Sequence, residues 1–202
     1  CIRDSYTTQN SRLSSDIVLC MTEFKQKIWM GTDGGGINIL DPTTGNITVL
    51  EHISGDNHSL PTNTILCLHS DSAGNIWAGS KREGVINIRE VSMRTYTNVV
   101  LGHNKGLSQS TVLQLYQEPA SEELWIATDG GGINKFIPST ETFVHYPDTW
   151  GDKMVSITGF TPNELLVSAF SKGIFIFDKK TGKKRPFAIM SPSLEHHIRY
   201  SG

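Results

Sequence analysis

The sequence has few cysteines, no long apolar run and no excess of charge of one sign. Its three cysteines show no Cys-x-x-Cys spacing, so they indicate neither a metal cage nor a disulfide framework. No stretch approaches the roughly 18 consecutive apolar residues of a membrane-spanning helix, and the amino-terminal residues lack the apolar segment of a signal peptide. The net charge of −2 leaves no positive excess to neutralise a phosphate backbone or an anionic membrane. We therefore expect neither nucleic acid nor a membrane surface as a partner of this segment.

The residues that are present form an internal repeat. Trp29, Trp77 and Trp125 follow one another at intervals of 48 residues, and each is followed by a turn and a second apolar run. The three copies are Ile28–Ile39, Ile76–Ile88 and Leu124–Phe136. A fourth, weaker copy at Leu165–Phe177 has Leu166 in place of the tryptophan. Self-similarity at this period is typical of repeat architectures, so the whole chain is read as four units.

Each unit contains signals for four short strands. An apolar run such as Ile65–Leu68 precedes the tryptophan strand, and a polar turn such as Asp41–Asn46 leads from the third strand to the fourth. Short strands with apolar side chains on both faces, repeated about every 40–50 residues, are typical of propeller blades. The sequence therefore predicts an all-β fold, a β-propeller segment of about four four-stranded antiparallel blades. The predicted blades cover residues 13–55, 60–102, 107–147 and 152–190.

These units resemble the two-component regulator propeller repeats. The lead-in of that family is matched by Leu13–Val18, Leu60–Ile65 and Leu107–Val112. Its core is matched by Ile28–Gly36, whereas the second unit has Lys81, Arg82 and Glu83 in place of Asp-Gly-Gly. The resemblance implies a seven-bladed propeller in the periplasmic sensor region of a bacterial hybrid two-component system. Seven blades of this period exceed the length of the chain, so we expect it to form part of a ring or to have its open faces covered by another chain.

The resemblance also implies a function. Such a segment senses a ligand outside the cytoplasm, and the expected stimulus is an oligosaccharide that regulates polysaccharide-utilisation genes. The remaining blades of the receptor and a second receptor copy in a homodimer are its expected protein partners. The histidine kinase and DNA-binding domains of the family are not in this sequence, so no enzymatic activity and no cofactor are expected of this segment.

Two other function classes remain open at the level of the sequence. A propeller glycosidase or lyase needs two inward carboxylates at a fixed separation, but the acidic residues here mostly recur with the repeat or lie in turns. Asp71–Trp77 weakly resembles the tryptophan-docking turn of quinone-binding propellers, without the cofactor ligands. A protein-interaction scaffold is the other alternative.

Candidate ligand-binding residues lie where loops are expected to share one face of the propeller, because ligands of propellers bind where loops converge around the axis. Trp150 stands outside the repeat, in the loop that joins the third unit to the fourth. An aromatic platform with arginine and amide donors suits an oligosaccharide, and Lys81 with Arg82 suits uronate or sulfate groups. The candidates are Asp33, Lys81, Arg82, His103, Asn104, Asp129, Trp150, Phe170 and Lys172, with His58 in another connecting loop.

The recurring residues are read as structural. A tryptophan present once per blade is expected to pack between blades, and the glycine-rich turns lack the lysine and following helix of a phosphate loop. Asp33 and Asp129 are expected to hold backbone amides of their own turns. The seven histidines show no metal-binding spacing, so no metal site is expected. Cys20 and Cys67 occupy equivalent positions and are interpreted as buried thiols.

Overall fold

The structure is a computed structural model that describes residues 5–56, 58–89, 92–98, 106–119 and 121–187. The regular secondary structure of the described residues consists of strands and one short 3-10 helix, Pro147–Thr149. The strands are β1 (Val18–Phe24), β2 (Lys27–Thr32), β3 (Ile37–Leu40), β4 (Ile47–Leu50), β5 (Ile65–Ser70), β6 (Ile76–Ser80), β7 (Val85–Arg89), β8 (Ser92–Tyr96), β9 (Val112–Gln117), β10 (Leu124–Thr128), β11 (Ile133–Ile137), β12 (Thr142–His145), β13 (Met154–Thr161), β14 (Glu164–Ala169), β15 (Gly173–Asp178) and β16 (Lys184–Pro186).

The strands form four separate antiparallel sheets of four, each made of consecutive strands. In each sheet the strand order follows the chain, from an inner strand (β1, β5, β9 or β13) to an outer one (β4, β8, β12 or β16). Consecutive antiparallel strands with short turns are the arrangement of a propeller blade. The predicted all-β propeller fold with four-stranded blades is thus confirmed.

An irregularity of register recurs at the start of every inner strand. The shifts lie between Val18 and Cys20, Ile65 and Cys67, and Met154 and Ser156, and opposite Ala127 and Thr128 in the third blade. Such bulges bend a strand and increase its twist. Their common position shows that the four blades repeat the same backbone, including the fourth, whose sequence match is weakest.

The blades pack in series through their inner strands, β1 against β5, β5 against β9 and β9 against β13. Gly31 of β2 and Gly79 of β6 permit this approach at the first two junctions, whereas the third blade has Ala127 at the same position. A Cβ on Gly31 would lie 2.8 Å from Ile65 Cγ2, and one on Gly79 would lie 2.7 Å from Val112 Cγ1. The β-branched residue of one blade therefore fits against the glycine of the preceding blade.

The recurring tryptophans lie at these junctions. Trp77 and Trp125 are 4% and 2% exposed, and they pack against aromatic residues of their own and the following blade. Trp29 is only partly buried. The prediction that the recurring tryptophans pack between blades is thus confirmed for Trp77 and Trp125 and only in part for Trp29.

Cys20 and Cys67 are free thiols at equivalent positions of β1 and β5. Burial raises the pKa of the Cys20 thiol to about 11 and also raises the pKa of Cys67. A thiol that is held protonated by an apolar environment is a poor nucleophile and metal ligand. Both residues act as small core side chains.

Apolar side chains are exposed on the two terminal blades at positions that are buried elsewhere. Met21 in β1 is 66% exposed, whereas the corresponding Leu115 in β9 is 6% exposed. Ile174 in β15 is 45% exposed, whereas the corresponding Ile133 in β11 is fully buried. The four blades thus form an arc with an apolar face at each end.

Candidate ligand-binding face

The glycine-rich turns and the loops between blades meet at one end of the blades. In each blade the first residue of the turn between the second and third strands donates its N–H to the carbonyl of the residue before the inner strand. These bonds join Asp33 to Ile17 (3.0 Å), Lys81 to Thr64 (3.2 Å), Asp129 to Thr111 (3.0 Å) and Phe170 to Lys153 (2.8 Å). We call the surface formed by turns 33–36, 81–84, 129–132 and 170–173 with these connecting loops the loop face.

Two of these turns also bind the following blade through a side chain. Thr64 Oγ1 donates to Asp33 Oδ1 at 3.0 Å, and Lys153 Nζ lies 3.2 Å from Asp129 Oδ2. These contacts of both carboxylates therefore cross a blade junction. This corrects our expectation that Asp33 and Asp129 hold amides within their own turns: the turn points its carboxylate along the loop face toward the next blade.

Trp150 is held on the loop face by backbone bonds of its neighbours. Trp150 follows the 3-10 helix Pro147–Thr149 and is 55% exposed. The Gly151 N–H donates to the Gly130 carbonyl at 2.9 Å, and the Gly130 N–H donates to the Asp152 carbonyl at 3.2 Å. These two bonds fix the Trp150 loop beside the turn of the third blade.

Phe170 is the second exposed aromatic residue of the loop face. It is 65% exposed, and Lys153 Nζ lies 5.7 Å from the centre of its ring. Lys172 in the same turn lies 2.5 Å from Asp152 Oδ1, and Lys184 binds the other oxygen of this buried carboxylate. Asp152 therefore anchors two lysines, and Lys172 contributes less free charge to the face than its sequence position suggests.

Lys81 and Arg82 project from the second turn, where both side chains are exposed. Arg82 has a φ of 81°, in the left-handed region that Gly34 and Gly130 adopt at the same position of their turns (82° and 89°). A non-glycine residue in this region costs about 1 kcal/mol or more, and such residues cluster at ligand-binding sites. Ser171 of the fourth turn adopts the same conformation (59°), so the conformation belongs to the turn, and it is the two exposed positive side chains that make the second turn a candidate anion contact.

The structure places the predicted residues in two groups. Asp129, Trp150, Phe170 and Lys172 surround the junction of the third and fourth blades, whereas Asp33 and Lys81 are connected through Thr64 at the junction of the first and second. His103 and Asn104 lie outside the described residues. His58 is exposed in its loop, with Nδ1 3.5 Å from Asp56 Oδ1.

Sequence reasoning missed Lys153, which contacts both Asp129 and Phe170. Its position in the repeat could have indicated this role, because Lys153 is the last residue of the lead-in in the fourth blade, as Thr64 is in the second. Among the described residues, no three His, Cys, Asp or Glu side chains are grouped to hold a metal ion. Within the same residues, no helix has the length and apolar character needed to cross a membrane.

Comparison with known proteins identifies the repeat. Residues 59–82, which run from the lead-in of the second blade into its glycine-rich turn, match the family model of the two-component regulator propeller. These 24 of the 202 residues are similar to a two-component regulator propeller repeat. A comparison with curated proteins by sequence finds no match.

Solved structures that resemble the chain are propellers of low sequence identity. The extracellular domain of a putative hybrid two-component system of B. thetaiotaomicron superposes with a TM-score of 0.78 at 20% identity, over 92% of this chain and 26% of that one. The WD40 repeats of RRP9 give a TM-score of 0.62 at 10% identity, over 84% of this chain and 50% of theirs. At these identities the likeness shows the fold, and this chain spans about a quarter of the two-component domain.

Proposed function

We propose that this chain is the ligand-sensing, extracytoplasmic segment of a periplasmic hybrid two-component receptor, and that it binds a glycan fragment on the loop face. One observation carries the proposal: Trp150 and Phe170 are exposed beside basic side chains on the loop face of a chain with a segment similar to this repeat. The similarity to the extracellular domain of a putative hybrid two-component system supports it. Regulation of polysaccharide-utilisation genes is the output that we propose for the receptor.

The side chains of the loop face favour an acidic oligosaccharide. Aromatic side chains offer flat apolar surfaces with a polar edge, which suits the C–H faces of a sugar ring. The guanidinium of Arg82 matches a carboxylate or sulfate with two parallel hydrogen bonds, and Lys81 adds a second positive charge. The aromatic pair and the basic pair lie at different blades of the loop face, so an oligosaccharide that reaches both and carries uronate or sulfate groups fits better than a neutral one.

The apolar end faces of the arc fit further blades of the same receptor. Met21 occupies the position of Leu115, and Ile174 that of Ile133. A neighbouring blade covers Leu115 and Ile133 but not their exposed counterparts. Exposed apolar patches of this kind mark interaction surfaces. We propose that additional blades cover both ends, and that ligand binding shifts a homodimeric receptor between two arrangements that the ligand binds with different affinity.

A binding role is favoured over catalysis by the state of the loop-face carboxylates. Asp129 pairs with Lys153, Asp33 accepts a bond from Thr64, and Asp152 pairs with two lysines. A glycosidase needs one carboxylic acid and one carboxylate about 5–10 Å apart across the scissile bond. Carboxylates already engaged by cations and hydroxyls suit positioning rather than proton transfer.

Titration calorimetry with trigalacturonate and with neutral cellotriose tests this function. We expect trigalacturonate to bind more tightly, and Trp150→Ala to weaken its binding by about tenfold or more, because the stacking platform is lost. Arg82→Gly removes a positive charge and introduces the residue type found at the same position in the first and third turns, Gly34 and Gly130. It should therefore reduce the difference in affinity between trigalacturonate and cellotriose without unfolding the chain.

Phe160→Ala is the matched control, since Phe160 is an exposed aromatic residue (46%) near the opposite end of β13. It should leave both affinities unchanged. Failure of a folded chain to bind either sugar, or equal losses in Trp150→Ala and Phe160→Ala, would contradict a glycan site on the loop face.

A further inference from the structure

The blade junctions differ in what surrounds the tryptophan of the second strand. Between the second and third blades, the ring of Trp77 lies 6.3 Å from Tyr96 and 5.4 Å from Phe136, and Phe143 packs on Phe136 at 4.8 Å. Between the third and fourth blades, Trp125 stacks on Tyr146 at 5.7 Å and meets Phe177 at 5.9 Å. Aromatic rings fill both junctions.

The junction of the first and second blades has aliphatic residues at the same positions. Leu50 pairs with β3 as Tyr96 pairs with β7, and Ile88 pairs with β6 as Phe136 pairs with β10. Met93 likewise stands where the third blade has Phe143. Because these side chains are smaller, a cleft of about 360 Å³ lies beside Trp29, compared with about 160 Å³ beside Trp77.

The walls of this cleft are apolar and partly aromatic. Its lining includes Phe24, Trp29, Ile39, Leu50, Ile88 and Met93. Phe24 meets Trp29 edge to face with ring centres 5.9 Å apart. Counted from the start of the inner strand, Phe24 occupies the position of Asp71, which accepts the indole N–H of Trp77 at 2.7 Å in the second blade. An aromatic ring thus replaces a carboxylate at the first junction.

The rim of the cleft is positively charged. Lys25, Lys27 and Arg89 are its charged lining residues, and none of the described lining residues is acidic. The cleft beside Trp77 shares Arg89 but also has Asp71, Glu122 and Glu141 in its lining. The charge at the first junction therefore favours an anion.

We propose that this cleft, the Trp29 cleft, binds a small aromatic molecule that carries an anionic group. Its ring occupies the space that Tyr96 and Phe136 fill at the next junction, and its charge faces Lys27 and Arg89. A cavity of about 150 Å³ lined by aliphatic and aromatic side chains holds benzene, so the Trp29 cleft is large enough for one or two fused rings. The cleft lies at the end of the blades opposite the loop face, so this site is independent of the proposed glycan site.

Titration of the chain with 2-naphthoate, followed by calorimetry and by tryptophan fluorescence, tests the proposal. We expect one equivalent to bind and the affinity to fall with added salt, because the charge contact is exposed to solvent. The neutral analogue 2-naphthalenemethanol should bind about tenfold more weakly, and acetate should not bind.

Two variants separate the ring site from the charge. Leu50→Tyr combined with Ile88→Phe rebuilds the aromatic filling of the next junction, so it should abolish naphthoate binding while the chain stays folded and its Tm rises. Lys27→Gln should lower the affinity for naphthoate but not for the neutral analogue, whereas Lys180→Gln, in the outer turn of the fourth blade, should change neither affinity.

Three results overturn the proposal. The first is absence of naphthoate binding to the folded chain, and the second is unchanged binding by the filled double variant. The third is equal affinity for naphthoate and 2-naphthalenemethanol, because it would show that the anionic group contributes nothing to binding. Binding of trigalacturonate is unaffected by any of these results.

Discussion

At the scale of single residues, a buried asparagine of the third strand is paired with a serine of the lead-in in the first and third blades. Asn38 Nδ2 donates to Ser14 Oγ at 2.6 Å, and Asn134 Nδ2 donates to Ser108 Oγ at 2.8 Å. In the second blade the same two positions hold Pro61 and the buried Ile86, so apolar residues replace both partners of this hydrogen bond. Asn87, one residue further along β7, has a buried Nδ2 with no partner among the described residues.

Alanine substitution of these asparagines should therefore have unequal costs. Asn134→Ala leaves the Ser108 N–H, which now donates to Asn134 Oδ1 at 2.9 Å, without a partner. Asn87→Ala removes a buried Nδ2 that has no partner among the described residues, and it loses only one hydrogen bond, the one that Asn87 Oδ1 accepts from Arg89 Nε at 2.8 Å. We expect the loss of unfolding free energy to be larger for Asn134→Ala by about 1 kcal/mol or more, measured by urea denaturation. Equal losses would show that Asn87 is satisfied, for example by water.

At the scale of the blade, a glycine of the second strand permits close approach at the first two junctions. Gly79→Ala would place a methyl group against Cys67 Sγ and 2.7 Å from Val112 Cγ1. We expect a loss of about 1–3 kcal/mol in unfolding free energy, because overpacking a junction displaces neighbouring side chains. Thermal or urea denaturation measures this loss.

The double variant Gly79→Ala with Cys67→Ala provides the control. Removal of the nearest atom should make room for the new methyl group, so the double variant should be more stable than the sum of the single effects predicts. Strict additivity would mean that the cost of Gly79→Ala lies in strand propensity and not in the blade junction.

Much of the blade could be predicted from sequence, because its signals are local. Alternation of apolar runs with glycine-rich and Asp-Pro turns determines where strands begin and end, and the 48-residue interval determines the repeat. The carboxylate contacts of Asp33 and Asp129 could not be predicted, since each partner belongs to the following blade. Lys172 was a predicted ligand contact, yet its pairing with the buried Asp152 depends on a packing arrangement that the sequence does not encode locally.

At the scale of the whole molecule, the loop face and the opposite end of the blades differ chemically. The loop face combines exposed Trp150 and Phe170 with Lys81 and Arg82, whereas the opposite end contains the apolar Trp29 cleft with a basic rim. Because propeller blades repeat one backbone, differences in side chains between equivalent positions create the sites. The fold itself is shared with propellers of about 10–20% identity, so it carries no ligand specificity of its own.

The central claim, a glycan site on the loop face, is tested most directly by hydrogen–deuterium exchange of the chain with and without trigalacturonate. We predict slower exchange in the turns 81–84, 129–132 and 170–173 and in the loop at Trp150, with no change around Trp29, since ligand contact protects only the amides that it covers or stabilises. Protection confined to the Trp29 cleft, or no protection at a sugar concentration that saturates binding, would contradict the claim.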